Sequence, residues 1–262
     1  MQISNRIRYL LPSAVGLFSF SGLLLRYFQR KNELLPDGSL TEGAFLHTIV
    51  LILSVCVVIG SAALLWKLAP RTSWSQLANR KGLPLIQLFA AAFLLLGNLL
   101  LLLRGAAPTT PYTTSAPELS DFLNNLLPPL GIVAAVCMAL FSYKCFVGQK
   151  PSALFYMFVS LYLVVRLIVR FQAWNTDPSI HDYCYALLAN ISAMLATFHM
   201  AGFSFDKGKR RMTLFWLVCT AFFSMITLAD ALHDGDFGEF FIHLSMSLMV
   251  VFNLDQLLYE KE

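Results

Sequence analysis

Charge is scarce in this sequence. Asp, Glu, Lys and Arg supply 13% of its 262 residues and hydrophobic residues 57%, against roughly 25% and 45–50% in a soluble domain. That balance excludes an ordinary water-facing surface and calls for lipid as solvent. Cysteine is sparse too: there are five, all within or beside apolar stretches, and only Cys184 comes near the face assigned below to the outside. A structural disulfide framework is therefore excluded. Long polar stretches are missing, which leaves no room for a soluble catalytic or ligand-binding domain.

Recognisable catalytic signatures are missing as well. No His-Glu-x-x-His run provides for an intramembrane zinc protease, and Gly202-Phe203-Ser204-Phe205 lacks the second glycine of a serine-protease motif. No lysine falls in the last two apolar segments to carry retinal. His199 stands alone at its depth, so it reads as a helix-to-helix hydrogen bond, as do Asn98 and Asn190, and not as one of a haem-binding pair. The sequence calls for no cofactor.

What is present is a series of apolar blocks about 20 residues long, the length at which a helix crosses a hydrocarbon core roughly 30 Å thick. They predict an all-α, polytopic bundle of eight transmembrane helices over 8–27, 43–67, 82–104, 127–147, 153–174, 182–203, 212–232 and 238–257. Residues 1–262 read as one transmembrane domain. The first block follows Arg6 and Arg8 and closes with Arg26, Arg30 and Lys31 without a small-residue cleavage pattern, so it reads as an uncleaved helix.

Charge asymmetry orients the bundle. Thirteen basic residues, among them Lys67, Arg71, Lys81, Lys144, Lys150 and Lys209, fall on one side, and four (Arg26, Arg30, Lys31 and Arg104) fall on the other. By the positive-inside rule the first side is cytoplasmic and both termini lie there. Eleven acids, including Glu33, Asp121, Asp230, Asp236 and Glu239, gather on the opposite side. The basic rim suits anionic lipid headgroups, so the partners expected are membrane lipids and not nucleic acid. In the longest outer loop, Ser115 and Glu118 have capping-box spacing and Leu119, Phe122, Leu123 and Leu126 share a face, predicting a short helix on the outer leaflet before Pro128 and Pro129. Compact size, tight loops and the lack of an outward Asn-x-Ser/Thr sequon point to a bacterial plasma membrane.

Arg166 and Arg170 carry the most information. They stand one turn apart in the fifth segment, with Tyr162 and Trp174 continuing their line. If Trp174 marks the interface, Arg166 lies about 12 Å deeper, and facing lipid there would cost at least about 2.5–3.5 kcal/mol. It is expected to face the bundle and a partner. Asp230, reached by the stripe Thr220, Ser224 and Thr227, and Glu239, on one face with His243 and Ser247, lie at the same outer depth. His47, His181 and His233 join them there.

Two readings follow. Arg166 and Arg170, with Tyr162, Asp230, Glu239 and His243, form an outward-facing site for a small anionic or zwitterionic molecule in a small permease or solute-binding protein. Alternatively the charges are structural ion pairs in a non-catalytic sensor, assembly or accessory protein. A lipid-modifying enzyme comes third, for want of a nucleophile with a base. A metal site at Glu239 and His243 has two-ligand spacing but no second paired motif.

Overall fold

The computed structural model describes residues 5–35, 40–41, 43–66, 74, 77, 83–104, 117–174 and 180–258, without the side chains of 5–8, 117–121, 173–174 and 180–182. Ser115, the side chains of Glu118, Trp174 and His181, and most of the 67–82 loop lie outside these residues. The described residues form eight helices: α1 Asn5–Asn32, α2 Phe45–Leu65, α3 Pro84–Arg104, α4 Pro117–Phe146, α5 Ala153–Trp174, α6 Ile180–Ser204, α7 Arg210–Asp234 and α8 Phe237–Leu258. All eight are long and apolar enough to cross a membrane, so this is a multi-pass helical membrane protein.

The predicted segments and these helices coincide within a few residues except at two ends. Helix α1 continues through Arg26 and Arg30 to Asn32, which brings both arginines onto a helix. Residues 118–126 are helical and run unbroken into α4 through Pro128 and Pro129. At 1.5 Å per residue this 30-residue helix is about 45 Å long, more than the roughly 30 Å of hydrocarbon, so it tilts or projects its first turns beyond it.

Packing follows from where small and polar residues sit. Helices α3, α4, α5, α6, α7 and α8 each pack on the next, and α8 closes back on α3, making a six-helix ring. Helices α1 and α2 lie outside the ring against α7, which is buried along most of its length. In α2 the buried face is Val50, Ser54, Val57, Ser61 and Leu65, with both serine hydroxyls donating to carbonyls of their own helix. Its exposed face is Leu51, Ile52, Val55 and Ile59, the arrangement expected where lipid is the solvent. Helix α3 meets α8 at Gly97, where a Cβ would come within 2.9 Å of the Gly238 carbonyl oxygen. Only glycine permits that approach.

Inside the ring, α5 and α8 do not pack backbone to backbone; long side chains bridge them. The ring axis is thereby filled by polar groups at three levels. Arg166 and Glu239 meet at one end, Tyr162 Oη donates to Asn98 Oδ1 (3.2 Å) farther in, and Tyr156 Oη donates to Asn253 Oδ1 (2.9 Å) while accepting from Gln87 Nε2 (3.3 Å) deeper still. Ten residues separate Arg166 from Tyr156, about 15 Å along the helix.

Candidate functional site

The turn between α7 and α8 sets the geometry of the carboxylate-rich end. Gly235 closes α7 in the left-handed region (φ 67°), and Asp236 then caps α8 by accepting the N–H groups of Gly238 and Glu239. Arg104 of α3 reaches Asp236 at 3.2 Å. Glu239 thus stands on the first turn of α8, where the positive end of the helix favours a carboxylate.

From there the Glu239 carboxylate spans two guanidinium groups. Oε2 accepts from Arg166 and Oε1 from Arg170, the two arginines being one turn apart on α5. Arg166 is fully buried and also donates its Nε to Asn190 Oδ1 of α6 at 2.9 Å; the Asn190 amide in turn donates to the Ala186 carbonyl. Glu239 and Arg170 keep 16% and 24% of their side-chain surface, so the centre is open at its outer edge and closed beneath. His243 Nε2 lies 3.6 Å from Glu239 Oε2, and the ring is wholly buried. Among the described residues, neither His243 nitrogen nor Arg166 Nη1 has a hydrogen-bond partner. Buried polar atoms of that kind are costly unless something pairs with them.

Not all the sequence-derived candidates converge. Arg166, Arg170, Glu239 and His243 do. Tyr162 lies four residues deeper, against Asn98. Asp230, offered by the sequence as an alternative partner for Arg166, binds elsewhere: its Oδ1 accepts from Arg26 Nε at 2.7 Å and lies 3.6 Å from Arg30 Nε. Arg30 also reaches Asp234 at 2.5 Å. The stripe leading to Asp230 is satisfied locally, since Thr220 and Thr227 donate to carbonyls four residues back and Ser224 faces the Met246 sulfur. Glu239 and His243 gather no third ligand; among the described residues no three His, Cys, Asp or Glu side chains converge.

A second charged centre escaped the sequence reading. The Arg26 guanidinium is fully buried between Asp230 and Gln29, and lies 5.1 Å from the centroid of the Tyr185 ring. Gln29 Nε2 faces His47 Nδ1 at 3.0 Å, and Glu33 accepts the N–H groups of Leu46 and His47, capping α2 from the end of α1. The signal was available: Arg26 and Arg30 repeat in α1 the one-turn spacing of Arg166 and Arg170 in α5. In each case one carboxylate, from α7 or from α8, lies between them.

The chain matches no protein family, no curated protein and no solved structure. The functional reading therefore rests on the chemistry of these two centres.

Proposed function

We propose that this protein is a small permease or solute-binding membrane protein whose outward-facing site takes a small anionic or zwitterionic molecule at Arg166 and Arg170. The observation that carries the reading is the buried Nη1 edge of Arg166, which lacks an acceptor while the other edges of the guanidinium hold Glu239 and Asn190. An unpaired guanidinium N–H can take one oxygen of a carboxylate or phosphate. Glu239 is the resident carboxylate that an incoming anion joins or displaces, and His243 faces it from one turn deeper. The positive-inside rule makes this end of the bundle the outer side, and the reading puts the protein in a plasma membrane with lipids around the rest.

The test is thermal melting of the purified protein with acetate, succinate, inorganic phosphate and glycine. At least one should raise the melting temperature of the wild type and leave Arg166→Gln unmoved. Equal responses from the two proteins would remove the reading.

A second reading has its own support. At the Arg26 centre Asp230 lies between two arginines of α1, an arrangement that needs no ligand and fits a sensor or accessory protein held together by ion pairs. On that reading no anion in the panel has an effect.

A further inference from the structure

Helices α1 and α8 both lie against α7 but scarcely touch each other, and between them is a cavity of about 460 Å³. That size is typical of a site for a small apolar molecule. It belongs to neither charged centre: its lining extends toward the opposite, basic end of the bundle, to Tyr9 near the start of α1 and Asp255 near the end of α8. Its walls are mainly apolar, formed by Val15 and Gly16 of α1, Ala221 and Met225 of α7, and Val250 and Leu254 of α8, and a further wall hydroxyl, that of Ser13, gives its proton to the Tyr9 carbonyl.

The deep end is different. Ser19 lies ten residues beyond Tyr9, about 15 Å along α1, and Ser247 lies eight residues before Asp255, about 12 Å along α8. Both line the cavity at about mid-membrane depth. Ser247 gives its proton to the His243 carbonyl and keeps its acceptor capacity. Ser19 is 4% exposed, and its hydroxyl has no hydrogen-bond partner among the described residues. A buried hydroxyl without a partner in a hydrocarbon surround costs free energy that a matching group on a ligand would recover.

We infer that this groove binds a chain-like lipid whose buried end carries a hydroxyl group, the chain lying along Val15, Ala221, Val250 and Leu254. A hydroxyl is the group that fits the deep end, because it accepts from Ser19 Oγ and donates to Ser247 Oγ. A carbonyl would leave Ser247 unmatched, and a carboxylate or ammonium would bring a charge to mid-membrane at high cost.

The purified full-length protein in detergent micelles is titrated with decan-1-ol, decane and decylamine at matched mole fraction, and affinity is read from the rise in melting temperature. Decan-1-ol should bind the wild type about fivefold more tightly than decane, the worth of one hydrogen bond. In Ser19→Ala, where the ligand hydroxyl keeps only Ser247 as partner, that gap should narrow with decane affinity unchanged. This variant removes an unpartnered hydroxyl and should fold normally. Gly16→Leu is the second variant: no atom lies within 4 Å of a Cβ there, so its side chain enters open space and should weaken both ligands. The inference is overturned by equal binding of decane and decan-1-ol to the wild type, or by a gap that Ser19→Ala leaves undiminished. Tighter binding of decylamine, which would place an ammonium at Asp255, overturns it too, as does Gly16→Leu without effect.

Discussion

Arg26 of α1 and Asp230 of α7, 204 residues apart in the chain, are joined by a 2.7 Å hydrogen-bonded ion pair whose guanidinium is wholly buried. The pair holds a helix that lies outside the six-helix ring to the most buried helix within it. Arg26→Ala would leave Asp230 at depth with only the more distant Arg30, and breaking such a buried pair costs about 3–5 kcal/mol. Combining Arg26→Ala with Asp230→Asn should restore part of that loss in a double-mutant cycle read by denaturation of the purified protein. Strictly additive losses would show that the two groups do not depend on each other.

At the other centre the carboxylate should matter more than either arginine. Glu239→Gln removes at once the negative charge that Arg166 and Arg170 share, whereas Arg166→Ala leaves Glu239 paired with Arg170. The stability order expected from thermal melts is wild type, then Arg166→Ala, then Glu239→Gln. The reverse order of the two variants would mean that Arg166 acts chiefly through Asn190.

Because Glu239 keeps outer-edge exposure and Asp230 is nearly closed, an added small acid should substitute for one and not the other. Acetate in the millimolar range is expected to restore much of the melting temperature lost by Glu239→Ala and little of that lost by Asp230→Ala. Rescue of neither variant would argue that the Arg166 centre is shut to solutes and would favour the structural reading.

Glycine positions give a test of packing alone. Gly131 of α4 lies against the Asn98 amide so closely that an added Cβ would overlap it, while nothing lies within 4 Å of a Cβ at Gly60 of α2. Gly131→Ala should cost about 1–3 kcal/mol as an overpacked core substitution and loosen the Tyr162–Asn98 hydrogen bond. Gly60→Ala should be neutral or stabilise by up to about 1 kcal/mol through helix propensity. Equal melting temperatures would contradict the α3–α4 contact.

Orientation is the remaining test. Reporter fusions after Lys150 and at the C-terminus should read cytoplasmic and one at Asp236 external, as the basic-residue asymmetry requires. An external C-terminus would reverse the sidedness assigned to the anion site.

By itself the sequence determined the helical, membrane-spanning class and the number and near-extent of the segments. Each of these depends on local hydrophobic length, which a helix reports directly because its backbone hydrogen bonds close within the segment. It also determined that Arg166 needs a partner, since an arginine inside an apolar segment carries that cost wherever it points. Tertiary structure decided which partner. Asp230 and Glu239 stand at similar depth on neighbouring helices and are equivalent in sequence, but α7 turns Asp230 toward α1 while α8 turns Glu239 into the ring toward α5. Arg26 shows the same limit: from sequence it marked the edge of a segment, and only the continuation of α1 past it, against α7, makes it a buried ion-pair partner. Helix rotation and neighbour choice are set by side-chain packing between segments far apart in the chain, and hydrophobic length carries no record of them.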